Sequence, residues 1–269
     1  MTLISLASFN GDLLVPIRLI DCHCHFDDYL DQKIDQQVIQ EALKNGIIRI
    51  VGVGMNFESS KKILNASREN GFLVPCVGIH PWESWKISVD EIRKVLKLIE
   101  DNVDFLAGIG EVGLDYRFIR GVDKWQRQRE VFELFVKMSV EYNLALNIHV
   151  VGAEKEAVNL LNKYDVEKAV FHWYTGSFIV LQDILSSGYY ISTNLSITYS
   201  KRVVGIVRQT PLNKIVLESD SPYEFRGILA SPSHVRVVAE KVAEVKKVDV
   251  DKIAEVTTKN AKRLFNIEF

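Results

Sequence analysis

The chain has 269 residues, 47% of them hydrophobic and 25% charged, a composition that can bury the core of one large domain. Its net charge of −2 provides no field that would draw it to duplex DNA or to an anionic membrane. This argues against a tight, salt-driven duplex binder but leaves nucleic acid open as a substrate. No apolar run approaches the roughly 20 residues of a membrane span. The segment from Met1 to Pro16 lacks the basic start and long apolar core of a signal peptide. The three cysteines, Cys22, Cys24 and Cys76, are an odd set and read as reduced thiols, so the expected compartment is the cytoplasm.

Eight short apolar runs follow one another as candidate strands: Ile17–Asp21, Ile47–Val53, Leu73–Ile79, Phe105–Gly110, Leu144–His149, Lys168–His172, Tyr189–Thr193 and Lys214–Glu218. Amphipathic segments separate them. Ser88-Val89-Asp90-Glu91 is a capping-box pattern that opens a helix toward Asp101. Val131, Phe135, Met138 and Tyr142 recur at helical spacing, as do Ile253, Val256, Ala261 and Leu264. The alternation predicts an eight-stranded parallel (β/α)8 barrel in a single domain over residues 1–269, with a doubly wound open sheet as the competing architecture. In both, ligands sit at the C-terminal ends of the parallel strands.

Those ends carry the chemistry. The first strand runs into Asp21-Cys22-His23-Cys24-His25. Alternation along an extended strand places Asp21, His23 and His25 on one face and Cys22 and Cys24 on the other. The third strand ends in Gly78-Ile79-His80-Pro81, the fourth in Gly110-Glu111, followed closely by Asp115 and Tyr116. The fifth ends in His149, the sixth in His172 and the eighth in Glu218-Ser219-Asp220. Five of the six histidines thus lie at strand ends, and only His234 does not.

Imidazole nitrogens and carboxylate oxygens suit Zn, Mn, Co, Ni or Fe, with Mg less favoured. One ion is expected on His23, His25, Glu111 and Asp220, and a second on Glu111, His149 and His172, with Glu111 as the bridge. Two such ions can activate a water and stabilise an in-line displacement. His80 is either a substrate contact or a hydrogen-bonded turn residue. Asp115 and Tyr116 either line the pocket or, for Asp115, cap the following segment. Glu218 shares a face with Asp220 and stands behind the ligands. Arg117, Arg120, Lys124, Arg127 and Arg129 form a solvated face or contact phosphate, and Arg226 has a similar claim as a phosphate contact. Trp82, Trp85, Trp173 and Tyr174 can stack on bases or simply pack.

The ordered set Asp21-Cys-His-Cys-His25, Gly78-Ile-His-Pro81, Gly110-Glu-Val-Gly-Leu-Asp-Tyr116, Gln128-Arg-Glu-Val-Phe132, Ile148-His149, Phe171-His-Trp-Tyr-Thr-Gly-Ser177, Glu218-Ser-Asp-Ser-Pro222 and Asn260-Ala-Lys-Arg-Leu-Phe265 resembles the TatD-type metal-dependent deoxyribonucleases. The resemblance spans Asp21 to Phe265 and implies the same six metal ligands, His23, His25, Glu111, His149, His172 and Asp220. It also implies that Asp220 handles the proton of the attacking water, and that DNA is hydrolysed at phosphodiester bonds, often from a 3′ end. Three positions depart from the family pattern. Val151-Gly152 stand where an Arg-Asp pair often follows the fifth-strand histidine, Phe135 stands for a glutamine, and Ala230-Ser231-Pro232 replaces an asparagine before its proline.

The expectation is therefore a DNase acting on single strands or 3′ ends, cytoplasmic, monomeric and free of membrane. An amidohydrolase-type esterase, deacylase or lactonase is the first alternative, and a non-catalytic, metal-stabilised nucleic-acid binder the second.

Overall fold

Eight parallel strands pair in chain order in the computed structural model, which describes residues 17–268. They are β1 (Leu19–Cys24), β2 (Ile47–Val53), β3 (Leu73–Val77), β4 (Gly108–Asp115), β5 (Ala145–Val151), β6 (Ala169–Phe171), β7 (Tyr190–Thr193) and β8 (Ile215–Leu217). The ring closes just past β8. Cys24 and Ser221 form a parallel bridge, the His25 N–H donates to the Ser221 carbonyl at 2.8 Å, and the Asp220 N–H donates to the His23 carbonyl at 3.0 Å. The architecture is a nearly closed (β/α)8 barrel, and the open-sheet alternative is ruled out. The reading of Met1 to Pro16 lies outside the described residues. No helix among the described residues is long and apolar enough to cross a membrane.

Parallel strands covered on both faces must be apolar on both, which explains their continuous hydrophobic runs. One cluster (Ile20, Cys22, Val51, Val53, Cys76, Ala145, Val170, Tyr190 and Val216) draws on almost every strand and fills the barrel, with Leu264 and Phe265 of the last helix packed against it. Two further clusters lie between the strands and the surrounding helices. The Ser88 capping box is present and opens a helix over Val89–Glu100. Val131, Phe135 and Met138 bury one face of a helix over Val122–Tyr142. Ile253, Ala261 and Leu264 do so on a helix over Val250–Phe265, where Ala254 and Thr257 are buried and Val256 only partly so.

The predicted alternation in β1 is corrected by a register shift. Asp21 pairs with Ile50 and Cys24 with Gly52, so β1 spends three residues where β2 spends two. Such a bulge puts neighbouring side chains on one face. Cys22 joins the barrel interior and Cys24 the outer core, so the two thiols do not share a face. Asp21 parts from the histidines and accepts hydrogen bonds from the Ser219 backbone and hydroxyl. A second shift lies in β4, where Ile109 pairs with Leu146 and Val112 with Ile148. It surrounds Glu111, and β4 runs on to Asp115, five residues beyond its expected end. An apolar criterion stops at Glu111 because it cannot anticipate a buried charge.

Candidate metal centre

The structure brings His23, His25, His80, His149 and His172 together with Glu111 and Asp220 at the C-terminal mouth of the barrel. Glu111 is the hub. Its Oε2 lies 3.4 Å from His23 Nε2 and 3.6 Å from His25 Nε2, and each of these nitrogens is 3.7 or 3.6 Å from Asp220 Oδ1. Its Oε1 lies 3.0 Å from His149 Nδ1, 3.1 Å from His172 Nε2 and 3.3 Å from His80 Nε2. One carboxylate therefore turns one oxygen to each of two donor groups. The backbone around it leaves no room for side chains: a Cβ on Gly78 would stand 2.7 Å from the Gly110 carbonyl carbon, and one on Gly110 would stand 2.6 Å from Asn147 Cβ. Asp220 itself is held with φ at 51°, in the left-handed region, where the chain leaves β8 to close the ring.

Partners behind the histidines fix which nitrogen each presents. The Asn147 amide donates to the Cys22 carbonyl at 2.9 Å, so its oxygen faces His23 Nδ1, also at 2.9 Å. His23 Nδ1 must then carry the hydrogen, which leaves Nε2 as a lone pair turned to Glu111. His149 Nε2 faces Asp115 Oδ2 at 3.2 Å. A carboxylate only accepts, so His149 offers Nδ1 to the centre. Glu218 accepts from the Trp173 backbone, from the Asn194 amide and from the Ser192 hydroxyl, and turns Oε1 toward His172 Nδ1 at 3.6 Å. Glu218 thus backs His172, and together with His23 and His172 it forms a compact group able to hold an ion. His80 is different: its Nδ1 accepts the Trp82 N–H at 3.1 Å, so its Nε2 is the protonated nitrogen and a donor toward the centre.

The electrostatics agree. Burial pushes a carboxyl pKa up, but the surrounding imidazoles His80, His23 and His172 hold Glu111 well below the usual range. Burial likewise acts against Asp220, and His25, His172 and His23 bring it below its ordinary value. Burial pulls His25 down, yet the Asp220 and Glu111 carboxylates raise it to about 9. For His80 burial wins and the pKa falls to about 4, so this imidazole is neutral at pH 7.

The donor set fits divalent cations. His23 Nε2 and Glu111 Oε2 are buried without a hydrogen-bond partner and face each other. Metal–ligand bonds of about 2.0–2.2 Å imply ligand–ligand edges of roughly 3.4 Å in a tetrahedron, and the four imidazole–carboxylate separations of His23 and His25 from Glu111 and Asp220 are 3.4–3.7 Å. His23, His25 and Asp220 also form a compact group able to hold an ion, as do His80, Glu111 and His149. The tautomer of His80 argues against its being a ligand in the second group; His172 lies 3.1 Å from the same Glu111 oxygen and forms a third such group with His23 and Glu218.

Other expected site residues separate. Asp115 is fully buried: Oδ1 caps the next turn through the Arg117 and Phe118 N–H groups, as one of the two readings had it, and Oδ2 holds His149 and the Trp82 indole. Tyr116 is turned away from the cluster, stacking on Trp125 and donating to Glu156. Arg226 stands at the turn of a small hairpin (Glu224–Phe225 with Ile228–Leu229), its guanidinium 4.3 Å over the Tyr199 ring. Arg127 and Arg129 pair with Glu130 and Glu156, whereas Lys124 lies over Trp85. Phe135 is fully buried, and the buried glutamine of this helix is Gln128, which accepts from the Asp115 N–H at 2.8 Å. Asn147 and Gln128 were not singled out as site residues. Asn147 carried one usable signal, lying two residues before His149 and hence on the same face of β5.

Residues 20–266 match the family model described as TatD related DNase. The chain belongs to the TatD-related DNase family. Deoxyribonuclease TATDN3 of Homo sapiens is 33% identical to it over 262 residues, covering 93% of this chain and 95% of the relative. The uncharacterized metal-dependent hydrolase YabD of Bacillus subtilis is 30% identical over 259 residues, covering 93% of this chain and 99% of the relative. The crystal structure of the TatD homologue YJJV from Escherichia coli K12 superposes with a TM-score of 0.86 at 25% identity, covering 94% of this chain and 99% of that one. This TatD-family member is an enzyme of the metal-dependent hydrolase type.

Proposed function

We propose that the protein is a DNase that hydrolyses phosphodiester bonds with two divalent cations, acting on single strands or 3′ ends. The observation that carries this reading is the Glu111 carboxylate, with one oxygen toward His23 and His25 and the other toward His149 and His172. His23, His25, Asp220 and Glu111 would hold one ion, and Glu111, His149 and His172 the other. Bound there, divalent cations acidify water and stabilise negative charge on a phosphoryl group.

The chain's own groups do the rest. Asp220, kept ionised by the neighbouring histidines, accepts a proton from the attacking water as general base. Neutral His80 points Nε2–H at the centre and donates to the oxygen where charge develops. Asn147, Asp115 and Glu218 hold the ligand histidines in the required tautomers. Arg117 and Arg226 are exposed and make no ion pair among the described residues, which leaves their charges available to flanking phosphates. The three buried free cysteines support a reducing, cytoplasmic setting.

A second reading, hydrolysis of a small ester, lactone or amide, is favoured by the uncharged Val151-Gly152 at the end of β5. A 3′-labelled single-stranded oligonucleotide, run beside small esters with Mn, Zn and Mg, separates the two. Release of the labelled 3′-terminal nucleotide is expected. Ester turnover without cleavage of DNA under any metal would establish the second reading instead.

A further inference from the structure

Trp82 is the most exposed of the four tryptophans, at 40%, and the neighbouring Phe118 is 63% exposed. Neither position serves the core, yet Trp82 is not free to wander. Its indole N–H donates to Asp115 Oδ2 at 2.6 Å, the same oxygen that faces His149 at 3.2 Å. Its ring stands edge-on to His80 at 5.1 Å and to Phe118 at 6.0 Å, and 6.3 Å from the His149 ring. The guanidinium of Arg117 lies 5.6 Å over the Phe118 ring. An aromatic wall with an attached cation thus rises beside the Glu111 centre, tied to a ligand histidine through a single buried carboxylate.

We infer that Trp82 and Phe118 form a stacking platform for the nucleobase flanking the scissile phosphate, with Arg117 meeting the next phosphate along the strand. The inference rests on the DNase reading above and narrows it. A base can lie on an aromatic face only when it is unstacked from its neighbours, so the platform selects single strands and frayed ends. It is also tolerant of sequence, because every base has a π-face. The shared Asp115 oxygen explains why this indole is fixed: the ring that receives the base is held by the group that orients His149.

The test compares a normal oligonucleotide with one carrying abasic residues at its 3′ end, on wild type and on Trp82→Ala and Trp82→Phe. Turnover is read with Mn, and binding is read separately by fluorescence anisotropy with Ca, using the same two oligonucleotides. Wild type is expected to lose about tenfold in KM and in affinity on the abasic strand. Trp82→Ala should show that loss on the normal strand and no further loss on the abasic one. Trp82→Phe, which keeps a ring and removes the N–H, should stay within about threefold of wild type on the normal strand. Equal losses by Trp82→Ala on both strands, or a Trp82→Phe defect as large as that of Trp82→Ala, would overturn the platform and leave Trp82 only as a support for Asp115. Base-dependent binding through Trp82 without cleavage would instead uphold the platform and overturn the DNase reading. The absence of both would overturn the two together.

Discussion

His23 Nδ1 sits 2.9 Å from the side-chain oxygen of Asn147, and this contact decides which face of the imidazole is free for a cation. Asn147 is itself locked by its bond to the Cys22 carbonyl, one residue before His23, so β5 sets the tautomer of a candidate ligand on β1 across the barrel interior. Removing the amide with Asn147→Ala leaves His23 able to place its hydrogen on either nitrogen. Metal affinity is expected to fall by about 10–100-fold, measured by competition with a chromogenic chelator. Unchanged affinity would show that His23 is positioned by something else.

Asp220→Asn should separate proton transfer from folding. Asparagine is among the few residues that tolerate the left-handed backbone found here, so the closure of the ring is expected to survive. The variant should keep its melting temperature within a few degrees and most of its metal. Its kcat should drop by about 10²–10⁴, the range of a lost general base. Near-wild-type turnover would remove Asp220 from that role.

His80→Asn tests whether this imidazole donates or ligates. An asparagine oxygen can still accept the Trp82 N–H at the head of the short helix Pro81–Ser84, while the Nε2–H disappears. Metal content should be unchanged, and kcat should fall by about 10²–10³ with little change in KM. Loss of one ion from the purified variant would instead make His80 a ligand.

In the metal-free protein His25 titrates near 9, against an ordinary value of 6.5. A raised histidine pKa stabilises the fold when the group is protonated. That contribution is complete below 6.5 and fades as the pH climbs through 9. Metal binding must displace the same proton, so it is favoured by rising pH. The melting temperature of chelator-treated protein is therefore expected to fall from pH 6.5 to 9, and the gain on adding Zn or Mn to grow over the same interval. Differential scanning fluorimetry across that range reads both trends.

The histidines, Glu111 and Asp220 were legible because a polar residue at the end of an apolar run stands out, and because eight such runs have one plausible way to share an end. The orientation of β1 was not legible. Strict alternation sends Cys22 and Cys24 together, whereas the bulge sends Cys22 inward beside His23. Bulges depend on pairing with a neighbouring strand, which a local pattern does not contain. The same limit hid the length of β4, whose last residues bury Glu111 and Asp115 where hydropathy expects a loop. Asn147 and Gln128 were given no role in the site because a buried amide announces itself only through its partners, and those lie on other strands and turns.

The bridging position of Glu111 is tested most directly by anomalous diffraction from crystals soaked in Mn. Two peaks about 3.5–4 Å apart, one beside His23, His25 and Asp220 and the other beside His149 and His172, with a Glu111 oxygen on each, are the expected result. A single peak, or two peaks that leave Glu111 uncoordinated, would contradict it.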